Sequence, residues 1–563
     1  MKTIIIGGVA GGASAAARLR RLDEGMEITI YERSGYISYA NCGLPYYIGE
    51  TIKNKAELTL QTPESFFNRF NIHAKVNHEV IEIEFNKKTL TVRNLKSGEE
   101  FQDHYDKLLL SPGAKPVKPN IPGMNLVNIF TLRTVEDTFQ IYDFIKKNNA
   151  KSAIIVGGGF IGIEMAENLR HLGLDITIVE AAPQVLSILD SDMVPQVHDI
   201  LRKNGINIIL ENSITAFEKH EEKITATLAN KSKISADLVL LAIGVTPDTS
   251  LATKANLKTG IKGSIIVNDR METSASDIYA VGDAVQIEHF ITKDKTLIPL
   301  AGPANKQGRI AADNITGGDS RYKGSQGSSI IKLFDMAIAT TGINERQAIA
   351  AKINYEKVII SPSSHASYYP GGKAMTLKVL FEKETNRILG AQIVGFDGVD
   401  KRIDVIATAI RSGMKATDLT ELELSYAPPF SSAKDPVNMA GYVIENLING
   451  KVKQFYYEEV NTLKHDRNAF LLDTRTPAEY AHGHADGFAN IPVDELRTRI
   501  AEIPKDKTIY IMCQSGIRSY IACCILSGNG YDCYNFAGGY RFYSMVENER
   551  LASTECYNCG MDK

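Results

Sequence analysis

The chain has 563 residues, 44% of them hydrophobic and 23% charged, with a formal net charge of −3; at roughly 150 residues per domain this is length for about four globular domains. The near-neutral balance and the lack of a long basic run exclude nucleic acid as an expected partner, and no apolar run reaches the about 18 residues that a membrane span requires. Seven scattered cysteines do not make a secreted disulfide framework, and "MKTIIIGG" enters a strand with no signal-peptide pattern, so a cytoplasmic location is expected.

The first element is a strand over residues 3–6, followed by a glycine turn and a helix in "KTIIIGGVAGGASAAARLRR". Gly7 and Gly12 fit the outer positions of G-x-G-x-x-G, Val9 holds the middle one, and Gly8 and Gly11 add room for close approach. Glycines let the backbone reach a pyrophosphate, and the helix N-terminus offers it N–H groups and a positive dipole end. "EITIYERS" then gives a second strand ending in Glu32, an acid suited to a ribose hydroxyl. "SAIIVGGGFIGIEMAENLRHLGLDITIVEAA" repeats the plan with Gly157, Gly159 and Gly162, and Glu180 ends its second strand. Glu180 followed by Ala181 and Ala182, without an arginine for a 2′-phosphate, predicts NADH over NADPH. Two such units imply one dinucleotide held in place and one that exchanges.

Between the two units, "SYANCGLPYY" carries Cys42, and the next cysteine in the chain is Cys513. A lone thiol there has three fates: a mixed disulfide with a substrate thiol, a sulfenic acid, or an inert core position. Cys513 opens "CQSGIRS", a C-x-x-G-x-R-S loop after a strand over 508–512 and before a helix. Consecutive backbone N–H groups in such a loop can surround a sulfur anion, Gly516 permits the tight curve, and Arg518 adds positive charge or holds the loop. Cys523, Cys524 and Cys533 are expected in the core; the terminal Cys556 and Cys559, a C-x-x-C without a second pair, suit a mobile tail better than a metal site or a redox pair.

Taken together, the two fingerprints, "YDKLLLSPGAKP", "TSASDIYAVGDAV" and "IPLAGPANKQGRIAADNI" resemble the two-dinucleotide-binding flavoprotein disulfide reductases. The resemblance implies an α/β fold with two Rossmann-like dinucleotide-binding domains, an α+β dimerisation domain and a C-terminal α/β rhodanese domain. It implies FAD held by residues 1–112 and 247–322, NADH by the inserted 113–246, dimerisation through 323–450, a linker over 451–462, the rhodanese domain over 463–555 and a tail over 556–563. Flavin contacts are expected from Gly7, Gly8, Ala10, Gly11, Gly12, Glu32, Arg33, Val80, Ser111, Pro112, Gly113, Arg133, Gly282 and Asp283. Pro299, Leu300 and Ala301 are expected there too, ahead of a helix beginning near Pro303 and aimed at the flavin. Gly157, Gly159, Ile161, Gly162, Glu180 and Gly244 are expected at the NADH site, with Phe160 and Glu164 lying against the flavin and nicotinamide rings.

"SYANCGLPYY" is most similar to the single-cysteine branch, the coenzyme A disulfide reductases and NADH oxidases. In the former, a tyrosine from each of "SSHASYYPGG" and "LSYAPPFSSAKDP" reaches the partner subunit's flavin-side cysteine, which implies Tyr368, rather than Tyr369, and Tyr426 in a homodimer with shared active sites. Arg18, Arg21, Ser38, Asn41, Gln61, Arg69, Arg309 and Lys434 are the implied CoA contacts. "LLDTRTPAEY", "GHADGFANIP", "CQSGIRS" and "FAGGY" resemble a rhodanese domain, although no tryptophan follows the last. No metal is expected. The combined expectation is an NADH-dependent reductase of CoA disulfide, CoA persulfide or polysulfide in which Cys513 transfers sulfane sulfur. The alternative is an NADH oxidase or peroxidase cycling through a Cys42 sulfenic acid, with the rhodanese domain as a sulfur sensor.

Overall fold

The computed structural model describes residues 1–558. Two compact units divide the chain, Met1–Leu186 with Asn204–Gly327, and Ser187–Lys203 with the chain from Ser328 onward.

The first unit holds two five-stranded parallel sheets. One orders its strands Ile278–Ala280, Lys107–Leu110, Lys2–Ile6, Glu27–Glu32, His73–Val76. The other runs Ile206–Ile209, Asp175–Val179, Ser152–Val156, Leu238–Leu241, Ile129–Thr131. Their central strands, "KTIII" and "SAIIV", are nearly continuous apolar runs, as a strand covered on both faces requires. Ala114–Pro116 pairs antiparallel with Val245–Pro247, the two places where the chain passes between the two sheets. The helix expected near Pro303 starts at Ala301 and runs to Ile315. It packs on the helix Ala10–Leu22 so closely that a Cβ on Gly308 would lie 2.3 Å from the carbonyl oxygen of Gly11.

The second unit begins with an antiparallel sheet ordered Ser329–Leu333, Met336–Gly342, Ile388–Gly395, Met375–Glu382, Tyr355–Ile360. The helices Val399–Ser412 and Pro436–Ile448 pack on it. A parallel sheet follows, ordered Gln454–Phe455, Cys533–Phe536, Thr508–Met512, Ala469–Asp473, Ala489–Asn490. Among the described residues, no helix is long and apolar enough to cross a membrane.

Three expectations need correction here. Residues 451–462 are not a free connector: Gln454–Phe455 is the edge strand of the parallel sheet, and Tyr457–Leu463 is helical. Tyr456 Oη donates to Glu356 Oε1 and to the Lys357 carbonyl, both at 2.8 Å, which ties this stretch to the antiparallel sheet. Residues 187–203, expected inside the NADH domain, pack with the second unit. Their anchor is Lys378, whose side chain is fully buried with Nζ 2.7 Å from Asp192, 3.0 Å from Asp190 and paired with Glu345. Burial pushes the Glu345 carboxyl up, but Lys378 and Lys357 outweigh it and hold it down at about 2. The three carboxylates lie close enough to suggest a metal, yet the ammonium of Lys378 already stands among them. Finally, Cys523 and Cys533 are buried as expected, whereas Cys524 is exposed, because it lies on the outer face of the helix Ile517–Ser527. Cys556 falls in the backbone of the last helix, Gly539–Asn558, and Cys559 lies outside the described residues.

Candidate active sites

Gly7 leaves the strand Lys2–Ile6 with φ +95°, and a Cβ there would lie 2.1 Å from the Ser111 carbonyl oxygen. At Gly12 a Cβ would lie 1.9 Å from the Gly7 carbonyl oxygen. Both glycines are therefore fixed by backbone packing, and the imperfect middle position, Val9, lines the cavity instead. Gly157 and Gly162 repeat the geometry in the second sheet, with Gly159 as N-cap of the helix Phe160–His171. The two strand-end acids are held alike. Glu32 accepts from the N–H groups of Gly8 and Ser34 at 2.8 and 2.9 Å. Glu180 accepts from Gly158 and Ala182 at 2.6 and 2.8 Å. An ionised carboxylate has about four acceptor sites, so each acid keeps capacity for ribose hydroxyls.

The first fingerprint opens on a cavity of about 520 Å³. It gathers Gly7, Ala10, Gly11, Glu32, Arg33 and Val80, then Ser111, Pro112, Gly113 and Arg133, and finally Gly282, Asp283, Pro299, Leu300 and Ala301. Gly8 and Gly12 stand behind it, serving the Glu32 bond and the helix packing. Arg133 donates to Asp283 at 2.8 Å, and Arg33 pairs with Asp248 at 2.7 Å. Asp248, Glu136 and Tyr39 also line the cavity, which sequence motifs did not single out. Gly244, at φ +103°, accepts from Val117 N–H at 3.0 Å beside the paired crossing strands.

Cys42 faces this same cavity. Its segment is pinned on the N-terminal side: Ser38 N–H donates to Gly8 O at 2.8 Å, and Ala40 N–H to Leu58 O at 2.8 Å. A 3-10 turn, Asn41–Gly43, then leads into the short helix Leu44–Ile48, with Pro45 in its first turn. Gly49 lets that helix close on Phe160–His171, since a Cβ at Gly49 would lie 2.2 Å from Asn168 Oδ1. The closure brings Tyr46 Oη to 3.4 Å from Glu164. Cys42 is exposed toward the cavity, but the protein around it still makes burial the first influence on the thiol, pushing it up. Glu164 and Asp283 push the same way and Arg133 opposes them. Phe160 and Ile161 are half-buried at the start of the Glu164 helix.

A second pocket, of about 340 Å³, adjoins the cysteine segment through Ser38. It brings together five of the eight expected CoA contacts: Arg18, Arg21, Ser38, Gln61 and Arg309. Arg18 is paired with Asp313 at 2.8 Å; among the described residues Arg21 and Arg309 form no ion pair, so their charge is open to an anion. Phe66, Phe70 and Ser14 also line it. The other three are placed elsewhere. Asn41 lines the dinucleotide cavity, because the 3-10 turn directs it there. Arg69 is on the exposed face of the helix Pro63–Phe70, and Lys434 is an exposed turn residue of the second unit.

In the second unit, Tyr368 Oη and Tyr426 Oη are 2.7 Å apart. Tyr369 instead packs edge-on against His365. Tyr368 is 72% exposed and Tyr426 46%, so the pair presents itself outward. The hydrogen bond from Tyr368 pushes the Tyr426 phenol up. Both loops are held from beneath by buried Arg402, which reaches Ser364 O at 2.8 Å and Asp435 at 3.1 Å. Arg402 lies in the first turn of the helix Val399–Ser412, where no local motif marks it.

The loop after Thr508–Met512 folds around the Cys513 sulfur. Gly516 N–H donates to it at 3.1 Å and Ser519 Oγ at 3.2 Å. Gly516 has φ +101°, a left-handed turn suited to glycine. Tyr540 N–H donates to the Cys513 carbonyl at 2.7 Å, fixing the loop against the glycine pair of "FAGGY". Of the two expected roles for Arg518, the structure favours holding the loop: it makes two bonds of 2.7 Å to Glu479. Those bonds hold the Glu479 carboxyl down at about 2. Glu479 also closes a capping box with Thr476, a T-x-x-E pattern legible in "TPAEY".

Two fingerprint sheets, a lone thiol on the cavity wall and a separate sulfur-cradling loop are thus on one chain. The sequence profile described as pyridine nucleotide-disulphide oxidoreductase matches residues 1–308. The chain belongs to the pyridine nucleotide-disulphide oxidoreductases. The dimerisation domain of that family matches residues 328–436, and a rhodanese-like domain matches residues 456–545. Coenzyme A disulfide reductase of Staphylococcus aureus (strain JH9) is 37% identical over 443 residues, covering 78% of this chain and 99% of that one. Among solved structures, reduced Bacillus anthracis CoADR-RHD superposes with a TM-score of 0.95 at 46% identity, covering 98% of both chains. A NAD-dependent persulfide reductase from A. fulgidus gives a TM-score of 0.91 at 36% identity, covering 96% of this chain and all of that one. As an oxidoreductase of this family, the chain carries a rhodanese-like domain after its dimerisation domain.

Proposed function

We propose that this protein is an NADH-dependent reductase of CoA disulfide and CoA persulfide, working as a homodimer with FAD, in which Cys513 supplies sulfane sulfur. The observation that carries the reading is the joint placement of Cys42 and Ser38. One short segment puts a lone thiol on the dinucleotide cavity and a hydroxyl on a pocket whose Arg21 and Arg309 form no ion pair among the described residues. A thiol substrate bearing phosphates fits that pairing, with Arg21 and Arg309 on the phosphates and its sulfur directed toward Cys42.

Close-packed glycines, a strand-end carboxylate oriented by two N–H groups, and the N-terminus of Ala301–Ile315 on one cavity fit FAD, which Gly7, Gly11, Glu32 and Asp283 would hold. Bound there, FAD would supply the two-electron relay between NADH and sulfur.

The chain's own residues supply the rest. The Cys42 thiolate attacks the CoA-bearing sulfur of a CoA persulfide, forming a Cys42–S–S–CoA bond as hydrosulfide leaves. A hydride equivalent from NADH (two electrons and a proton) and one proton from solvent then return Cys42 and CoA to the thiol level. Tyr368 and Tyr426, reaching in from the partner subunit, protonate the departing CoA sulfur; their mutual hydrogen bond suits a phenol that keeps its proton until the thiolate forms. Attack on the outer sulfur, leaving a Cys42 persulfide, balances equally. At the rhodanese loop, Gly516 N–H and Ser519 Oγ stabilise negative charge on a sulfur carried by Cys513.

Anaerobic NADH consumption tests the reading. CoA disulfide and CoA persulfide should each be reduced with one NADH per bond cleaved. Rapid NADH oxidation that needs oxygen and ignores both substrates would favour the sulfenic-acid oxidase instead.

A further inference from the structure

Asn535 stands in the strand Cys533–Phe536, in register with Ile511 of the strand that leads into the Cys513 loop. It is 6% exposed, and its Oδ1 is buried with no hydrogen-bond partner among the described residues. An orphaned amide oxygen costs stability that an apolar side chain at this position would not. Its Nδ2 is engaged, donating to the Gly516 carbonyl at 3.3 Å. The opposite amide orientation would set oxygen against oxygen there, so chemistry fixes the assignment.

Gly516 O is crowded. Tyr520 N–H donates to it at 3.1 Å as the first turn of the helix Ile517–Ser527 closes. Ser519 Oγ lies 3.2 Å from the same oxygen and also 3.2 Å from Cys513 Sγ. A carbonyl oxygen offers two lone pairs and a hydroxyl has one proton. With Tyr520 N–H and Asn535 Nδ2 on Gly516 O, the Ser519 proton is left for the sulfur. The charged side chains of the surrounding elements are paired with each other: Arg518 with Glu479, and Arg475 with Asp473, all at 2.7 Å. Arg475 also lies over the Tyr540 ring, and Cys523 and Cys533 are buried thiols on the helix and strand that carry Ser519 and Asn535.

We propose that Asn535 is a positioning residue for sulfur transfer: by occupying the Gly516 carbonyl, it commits the single hydroxyl proton of Ser519 to the Cys513 sulfur. This rests on Cys513 being the thiol that transfers sulfur. Without the amide, the hydroxyl can turn to Gly516 O and aim its own lone pairs at the sulfur, which opposes negative charge there. Asn535 itself makes and breaks no covalent bond; it sets the direction of one proton.

The test is the pH profile of Cys513 alkylation by iodoacetamide in the holoenzyme, read by peptide mass spectrometry; Gln514, Ser515 and Gly516, around the sulfur, are only half-buried. Ser519→Ala should move the midpoint up by about one unit and slow the reaction about tenfold below it, the loss of one hydrogen bond to an anion. Asn535→Leu should move it the same way, with about a threefold slowing. Asn535→Ala, which removes more packing, should match Asn535→Leu, because the lost donor is the same. In a Ser519→Ala background, Asn535→Leu should add nothing, since the proton it directs is gone. Asn535 variants that superimpose on wild type, or that slow Ser519→Ala further, overturn the proposal. Failure of the underlying reading is a separate result: sulfur transfer from polysulfide to CoA that survives Cys513→Ser.

Discussion

Cys42→Ser is expected to abolish NADH-driven reduction of both CoA disulfide and CoA persulfide, lowering turnover by roughly three orders of magnitude or more. Among the described residues, no second cysteine is near enough in sequence to share the role, since the next is Cys513 in the other unit. Serine keeps the size of the side chain but forms no disulfide. The segment should fold unchanged, because its anchors are backbone bonds from Ser38 and Ala40. Steady-state NADH consumption under anaerobic conditions reads the effect. Sulfur transfer by the rhodanese-like domain from polysulfide to a thiol should persist in the same variant, and its loss would count against separate chemistry in the two halves.

Cys513→Ser is expected to produce the reverse pattern. Sulfur transfer from polysulfide to CoA should fall by roughly three orders of magnitude, far more than reduction of CoA disulfide. Two donors, Gly516 N–H and Ser519 Oγ, converge on this sulfur, and no group in the loop other than Cys513 offers a nucleophile to them. A persulfide assay with and without NADH separates the two activities. Equal losses on both substrates would count against separate roles for the two cysteines.

The parts legible in sequence are those built from neighbouring residues. A strand, a glycine turn and a helix are local, so Gly7, Gly12, Gly157 and Gly162 stand out by spacing, and a Cβ at any of them would meet neighbouring backbone. The CQSGIRS loop is local in the same sense. Contacts made across the chain were less legible. Arg18, Arg21 and Arg309 meet in one pocket because Ala10–Leu22 packs on Ala301–Ile315, whereas Arg69 turns outward on a helix whose apolar face is set by Phe66. Gln454–Phe455 is too short to show a strand period, so the stretch read as a connector. The docking of residues 187–203 depends on Lys378, nearly two hundred residues away, and no local pattern announces such a pair. Glu164 was visible as an acid in a fingerprint helix, but its titration near neutrality comes from burial, which composition does not show.

The central claim is that CoA is carried on Cys42 during turnover. The most direct measurement is acid quenching of the holoenzyme after mixing with CoA disulfide without NADH or oxygen, followed by peptide mass spectrometry. The account predicts a CoA mixed disulfide on the peptide containing Cys42, discharged as free CoA when NADH is added before the quench. A Cys42 peptide that never carries CoA, or an adduct that NADH leaves in place while CoA disulfide is still being reduced, would contradict it.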